Sequence, residues 1–361
     1  MDNIYLSNFE ILCSQGNLQN TLEAVKSNNI RIDKKRIVTD IQTLDAPYFL
    51  FEDEIKDDKN EIYSSLKELV SKIVSKIDQH ELSSTGLIIG TALADLNLGF
   101  AINSDAQGDA YISKKTSIDT YASKLVKHFG LNEFTMTINT ACTSSANAIL
   151  EASNLIQSNI LNKVIVLGVE IHSKMLSSGF LAMNLITLDT QKPFEESRDG
   201  LVLGEAIAGL VLSKEASKYK LLGGYSNCNA ASITGVSESG EEYVEVMQKA
   251  LINSNQTVDS ITAVKTHATS TPASDLSEMN AMDNIFSKKP PLCALKPYVG
   301  HTIGACGTLE LSLFLSCIDN GFIPKLPSQN KHIECKGGIF MLNYFGFGGN
   351  NTTLIIKSEQ E

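Results

Sequence analysis

The sequence predicts a layered α/β protein, and three features of it predict that class. Short apolar runs that read as strands alternate with segments of helical periodicity through the first half. The second half repeats the rhythm. At 361 residues the chain suits one large domain or two intimately packed halves.

The elements follow in order. Residues 62–77 place Ile62, Leu66, Leu69, Val70, Ile73, Val74 and Ile77 at helical spacing, which is a packing face. Leu87-Ile-Ile-Gly-Thr reads as a buried strand, and residues 117–128 read as a helix. Phe134-Thr-Met-Thr-Ile138 is a strand that runs directly toward Cys142. A helix over 146–157 then turns Ile149, Leu150 and Ile156 inward, and Lys163-Val-Ile-Val-Leu-Gly is the next strand. Strand, helix, strand predicts a parallel, right-handed crossover. In the second half, helices are expected over 241–253, 273–286 and 304–318. Strands are expected at Ile261-Thr-Ala-Val-Lys-Thr, ending at His267, and at Leu292-Cys-Ala-Leu, ending near Lys296. A closing strand pair starts at Gly338. Asp57-Asp-Lys-Asn-Glu61 reads as a solvated loop.

Charge and cysteine usage exclude several classes. The formal net charge is −11, and phosphate neutralisation needs clustered Lys and Arg, so nucleic acid is a poor partner. Seven cysteines without a CxxC pair exclude a zinc finger. An odd count with no basic, apolar leader at Met1 fits the reducing cytoplasm, and no apolar run is long enough to span a bilayer.

Three stretches carry the chemistry. They are Asn139-Thr-Ala-Cys142-Thr-Ser-Ser-Ala, Lys265-Thr-His267-Ala-Thr-Ser-Thr-Pro272, and Lys296-Pro-Tyr-Val-Gly-His301-Thr-Ile-Gly-Ala-Cys-Gly307. Each sets one reactive side chain among small residues. A thiol and two imidazoles form a kit for acyl transfer through a thioester. Cys142 follows a strand and opens a helix, and that electropositive position predicts a lowered thiol pKa. The remaining cysteines read as buried structural residues. His80, His128, His172 and His332 stand outside any motif. A metal held by His267 and His301 is not expected, because no third ligand accompanies them.

These stretches resemble the β-ketoacyl synthases of the elongating type, which carry one Cys, two His and a Lys. Asn343-Tyr-Phe-Gly-Phe-Gly-Gly-Asn-Asn351 resembles that family's glycine-rich loop. Pro193-Phe-Glu-Glu-Ser-Arg-Asp-Gly-Leu-Val-Leu-Gly-Glu205 resembles a further signature, with Arg198 and Asp199 expected to pair beside a turn. The resemblance runs from about residue 84 to 357, with all five motifs in family order.

The resemblance implies a thiolase-like fold, two similar α/β halves stacked as five α-β-α-β-α layers. It divides the chain into 1–213, with the nucleophile, and 214–361, with both histidines. It implies a decarboxylative condensation of an acyl group on Cys142 with malonyl-acyl carrier protein. His267 and His301 would donate hydrogen bonds to the malonyl thioester, and Lys296 and Glu310 would orient them. Backbone N–H groups of Cys142 and Phe347 would form the oxyanion hole. Thr269, Thr271, Phe180, Phe345 and Phe347 would contact substrate or its pantetheine arm, with an aromatic of the glycine-rich loop gating the acyl pocket.

No metal or organic cofactor is implied, since pantetheine arrives on the carrier. The implied partners are acyl carrier protein and a second, identical or similar, synthase subunit. Departures from the family pattern are Ala268 in place of Gly, Pro297, Asn350 in place of Thr, and Asn184 where many relatives place an Arg facing the carrier. The alternative is a non-catalytic or chain-length-determining partner subunit, which the presence of Cys142 disfavours. Fatty-acid elongation and a polyketide or polyene pathway both fit.

Overall fold

The computed structural model describes residues 3–39, 42–55, 59–92, 119–229, 232 and 234–359. The first half begins with β1 (Ile4–Cys13), β2 (Gly16–Asn17), α1 (Leu18–Ser27), β3 (Asp33–Val38), β4 (Thr43–Phe49) and α2 (Lys59–Val74). It continues with β5 (Thr85–Gly90), α3 (Thr120–Phe129), β6 (Thr135–Ile138), α4 (Ser144–Gln157), β7 (Lys163–Glu170), α5 (Lys174–Ala182), β8 (Leu203–Gly204) and β9 (Ala206–Ser213). The second half holds β10 (Tyr219–Cys228), α6 (Glu241–Asn253), β11 (Ile261–Lys265), α7 (Pro272–Ile285), β12 (Leu292–Cys293), α8 (Lys296–Val299) and α9 (Cys306–Asp319). It closes with β13 (Phe322–Ile323), β14 (Ile333–Glu334), β15 (Gly338–Phe345) and β16 (Asn350–Ser358).

Among the described residues the main sheet has 11 strands, ordered β12-β11-β15-β16-β10-β1-β9-β7-β5-β6, with β2 beside β1. Its two arms repeat one pattern. In β6-β5-β7-β9-β1 the first two junctions are parallel and the next two antiparallel. In β12-β11-β15-β16-β10 the same sequence of junctions recurs. This is the duplication that no internal sequence identity displays.

The strands read as unbroken apolar runs because both faces are covered. Along β7, Val164 and Val166 face one core while Ile165, Leu167 and Val169 face another. Along β15, Phe340 and Leu342 face the shared core, and Met341 faces away from it. Helices α4 and α9 lie in the shared core between the arms. Helices α2 and α3 cover the outer face of the first arm, and α6 and α7 that of the second. The five layers of a thiolase-like fold result. Helix α9 is buried on nearly every side because it has a layer on either side, and Glu310 is the charge it carries into the interior. The two central helices cross closely: a Cβ at Gly307 would sit 2.2 Å from the Ala146 nitrogen.

The structure departs from the sequence reading at particular places. Helix α2 begins at Lys59, so Lys59–Glu61 is its first turn rather than loop, with Glu61 toward the positive end of the helix. The helix expected over 117–128 is described from Thr120 on, and residues 117–118 lie outside the described residues. Strand β1 had no periodic signal: Asn8 has φ 53°, and the register shifts between Ser7 and Glu10. Such a bulge breaks the period-2 alternation by which strands are read. Among the described residues, no helix is long and apolar enough to cross a membrane.

Candidate active site

Cys142 lies in one 3₁₀ turn, Ala141–Thr143, between β6 and α4. Ala141 has φ 53°, a left-handed conformation that a non-glycine residue adopts at a cost of about 1 kcal/mol or more. The Ser144 hydroxyl holds the turn by donating to the Ala141 carbonyl at 2.6 Å and accepting from the Thr140 N–H at 3.0 Å. The small residues of the motif therefore serve the turn. Around the sulfur lie Phe180, Leu201, Leu203 and Ile303, with Phe347 packed against them.

Both histidines reach the same place from the other half. His267 follows β11, and His301 follows α8. Their ring centroids are 5.4 Å apart at 87°. Cys142, His267 and His301 line one cavity of about 470 Å³. The His301 backbone is held by β8, its N–H donating to the Val202 carbonyl at 2.7 Å and its carbonyl accepting from the Gly204 N–H at 3.0 Å. The Pro193–Glu205 stretch thus braces a site residue about a hundred positions away. Arg198 in that stretch donates to the carbonyls of Glu195 and Pro272.

Behind the rings lies a fully buried ionic cluster. The Lys296 ammonium is 2.8 Å from Glu310 Oε1 and 3.4 Å from His267 Nδ1. That contact makes Nδ1 the acceptor and leaves the ring proton on Nε2. The other Glu310 oxygen takes Lys265 at 2.7 Å. All three ionic side chains are 0% exposed. Pro297 is compatible here because it occupies the first turn of α8, where its missing N–H costs nothing.

Two further carboxylates hold the loop after His267. Glu278 accepts from the His267 and Ala268 N–H groups, each at 2.8 Å. Asp275 accepts from Ser270 at 3.0 Å and from Phe194 at 2.8 Å. The loop needs such ties because Ala268 and Ser270 have φ of 47° and 70°. Ala268 therefore occupies a position suited to glycine and holds it under strain. Burial raises the Glu278 carboxyl to about 7 and the Asp275 carboxyl to about 6, despite those hydrogen bonds.

Phe347 stacks on Phe180, with centroids 5.4 Å apart. Its backbone N–H and that of Cys142 are directed at the sulfur. Phe345 differs from its neighbour: it is 3% exposed and stacked on Tyr243 at 3.7 Å, so it is core with an edge in the cavity. Of the two loop aromatics, Phe345 is buried and Phe347 is half-buried. Thr269 and Thr271 line the cavity with their hydroxyls 2.9 Å apart. Asn350 donates to the Phe347 carbonyl at 3.1 Å and closes the turn. Asn184 caps the end of α5 at φ 55°, a conformation that Asn tolerates well.

The thiol corrects an expectation. Burial pushes Cys142 up to about 12, and Lys296 and the Phe347 N–H offset this only in part. At the helix start the favourable field acts on a sulfur cut off from water, and the lost hydration is the larger effect. In the folded chain Cys142 rests as a thiol. Burial also drives both imidazoles well below their usual range, with Lys296 next in effect on each. Both rings are neutral in the folded chain. Their folded pKa lies below the unfolded value near 6.5, so the unfolded chain takes up protons that the folded chain refuses. The rings' own contribution to stability should fall below about pH 6.5, by about 1.4 kcal/mol per ring per pH unit, a loss that the raised carboxyls of Glu278 and Asp275 oppose. Urea unfolding at several pH values checks this: between about pH 6.5 and 5 the stability of wild type relative to His301→Gln should fall by about 1.4 kcal/mol per pH unit, and a constant difference refutes it.

The sequence reading missed Lys265, Glu278 and Asp275. A lysine closing the apolar run at 261–265 was the available signal for the first. No motif marks the other two, which accept from backbone N–H groups of the loop before α7 and, for Asp275, from Phe194 as well.

Comparisons with known proteins agree with this geometry. A family model described as the β-ketoacyl synthase N-terminal domain matches residues 18–218, and one for the C-terminal domain matches 220–330. The match begins well before residue 84, where the motif resemblance fades. The 3-oxoacyl-[acyl-carrier-protein] synthase 1 of Haemophilus influenzae is 27% identical over 331 residues, 82% of this chain and 80% of its own. The 3-oxoacyl-[acyl-carrier-protein] synthase 2 of Staphylococcus aureus is 30% identical over 249 residues, 60% of this chain and 62% of its own. A β-ketoacyl synthase structure from Burkholderia phymatum superposes with a TM-score of 0.84 over 100% of both chains at 21% identity. A complex of a ketosynthase with its chain length factor from Xenorhabdus doucetiae contains a chain that superposes with a TM-score of 0.81 at 20% identity, over 99% of this chain and 98% of that one. With a matching model over more than half its length and the thiol and both imidazoles in one cavity, the chain belongs to the β-ketoacyl synthase family of acyltransferases.

Proposed function

We propose that Cys142 accepts an acyl group from acyl carrier protein and that malonyl-carrier extends it by two carbons. The observation that carries this is the single cavity lined by the sulfur and both rings. In the first step sulfur attacks the acyl thioester carbonyl, the carrier sulfur leaves, and the thiol proton goes to it. No free thiolate has to persist, which suits a thiol held up at about 12. In the second, malonyl-carrier loses CO₂ and its thioester becomes an enolate. Neutral His267 and His301 donate to that oxygen without bringing a formal charge. The enolate carbon attacks the acyl carbonyl on Cys142. Backbone N–H groups of Cys142 and Phe347 hold the tetrahedral oxyanion, which collapses to the β-ketoacyl-carrier and releases the sulfur to take a proton.

Lys296 and Glu310 orient His267 in this scheme. Thr269 and Thr271 bind the pantetheine arm, and Phe180, Phe345 and Phe347 the acyl chain. The enzyme needs no cofactor of its own, because the carrier brings the pantetheine. Incubation with acyl-carrier, followed by peptide mass spectrometry, tests the reading. An acyl adduct on Cys142 is expected, and its absence sinks the proposal.

The glycine-rich loop gives a second test. Gly349 has φ 73°, and a Cβ there would sit 1.7 Å from the Asn229 carbonyl oxygen. Gly349→Ala should displace the Phe347 N–H and slow acylation on the order of 10²-fold, the cost of one lost oxyanion donor. A normal acylation rate would remove Phe347 from the site.

We further assign the halves as 1–213 and 214–361, supported by the repeated strand order and by family models that meet between 218 and 220. Assembly as a dimer, with a second copy or a similar subunit, is supported by the edge strand β6. It is half-buried, lies at the end of the sheet, and borders a groove lined by Met136, Ile138 and Leu150. Light scattering on the purified chain, alone and mixed with a related subunit, separates the two forms. We place the reaction in the cytoplasm, where the chain's free cysteines stay reduced.

A further inference from the structure

The family chemistry uses one lysine behind the histidines, and this chain buries two. Lys265 ends β11, two residues before His267, and no part of it is exposed. Its Nζ lies 2.7 Å from Glu310 Oε2, 2.7 Å from the Asn343 carbonyl oxygen, and 3.5 Å from the centroid of the Tyr344 ring. Two oxygens and a π-face are three acceptors. They match the three N–H donors of an ammonium and leave no donor for the lone pair of an amine. Lys296 occupies the other Glu310 oxygen at 2.8 Å. Burial lowers the Lys265 pKa and Glu310 opposes that, and the three acceptors around Nζ favour the ammonium form. Two ammonium groups then share one carboxylate, and the next carboxyl, Glu278, is held up at about 7 by burial and is only partly ionised at neutral pH.

We propose that Lys265 is an electrostatic positioning residue of the condensing site. Its charge, surplus to Glu310, repels a further proton from His267 and His301 and sets cationic potential behind the oxygen of the forming enolate. Burial acts most on both rings and Lys296 next, and Lys265 adds to them in the same direction. The other ionisable groups around them are accounted for. Glu278 is tied to the backbone of His267 and Ala268, Asp275 to Ser270 and Phe194, and Glu310 to the lysines. Cys306 donates its thiol to the Cys142 carbonyl at 3.0 Å. None of these supplies a second positive charge.

The inference rests on the condensing reading for its purpose, but its test does not. The full chain, labelled at the histidine rings, is titrated by NMR as wild type, Lys265→Met and Lys265→Gln, with the two signals assigned through His267→Gln and His301→Gln. Both substitutions remove the charge, and glutamine retains a donor for Glu310. The expected result is an upward move of both ring midpoints by about one unit, a tenfold change in proton affinity, in either variant that folds. Midpoints that stay in place overturn the proposal, as does failure of both variants to fold, which would make Lys265 structural. Failure to form a β-ketoacyl product would sink the condensing reading and leave the ring titration standing.

Discussion

Cys142→Ala should abolish condensation, with a loss on the order of 10⁴-fold or more, while decarboxylation of malonyl-carrier continues. Deleting a covalent nucleophile removes the only route through the acyl-enzyme, and such deletions cost up to about 10⁶-fold in other acyl-transfer enzymes. The decarboxylation half-reaction asks nothing of the sulfur. It needs donors for the enolate oxygen, which the proposed mechanism assigns to His267 and His301, whose positions are set by α8, β8 and Glu278. Acetyl-carrier should therefore accumulate where the wild type makes a longer chain. The side chain is small, so the substitution should leave the melting temperature nearly unchanged. Mass spectrometry of the carrier reads both products at once. Loss of both activities together in a folded variant would contradict the division of labour between thiol and imidazoles.

Glu310→Gln should be the most damaging isosteric change in the molecule. Glu310 is 0% exposed and is the carboxylate partner of both Lys265 and Lys296. Taking its charge leaves two buried ammonium groups uncompensated. Breaking one buried pair costs about 3–5 kcal/mol, which in a chain of this size lowers the melting point by roughly 4–7 °C. Activity should fall with it, since Lys296 no longer holds His267 Nδ1 in place. The same network has an acid limit. Burial alone would raise the Glu310 carboxyl, but the two lysines override it and the net shift is downward. A folded pKa below the unfolded value adds stability above about pH 4.5 that is lost as pH falls through the folded pKa. Thermal melts of wild type and variant should differ most at neutral pH and converge in strong acid. A variant that melts with the wild type at pH 7 would show that the cluster contributes nothing.

Lys265→Met makes the informative contrast with Glu310→Gln. It leaves Lys296 and Glu310 as a neutral pair and puts an apolar chain beside Tyr344, so its cost in stability should be much the smaller. Which charge is deleted matters more than how many contacts are lost.

Fold and site were legible in the sequence to different depths. Helix α6 was readable because apolar residues recur at helical spacing, and α9 because it is a long, mostly apolar run. Strands β5, β7 and β15 were readable because layers on both faces make them continuous apolar runs. Strand β1 was not, because its bulge at Asn8 destroys the alternation, although this strand joins the two arms. The Cys142, His267 and His301 motifs stood out because small residues cluster around each. Lys265 did not, since a lysine after an apolar strand looks like any strand end until its partner, 45 positions away, is known.

Residue types and their local order determined the α/β class and singled out Cys142 and the two imidazoles as candidates, and the motifs' resemblance to a known family gave the reaction family. Periodicity and motif composition are local properties, and the sequence carries them whole. Tertiary structure decided what those groups are like. It made the thiol a protonated one, kept both rings neutral, separated core Phe345 from pocket-facing Phe347, and placed two ammonium groups on one carboxylate. Protonation depends on lost hydration and on charges brought together from distant segments, and neither exists until the layers close.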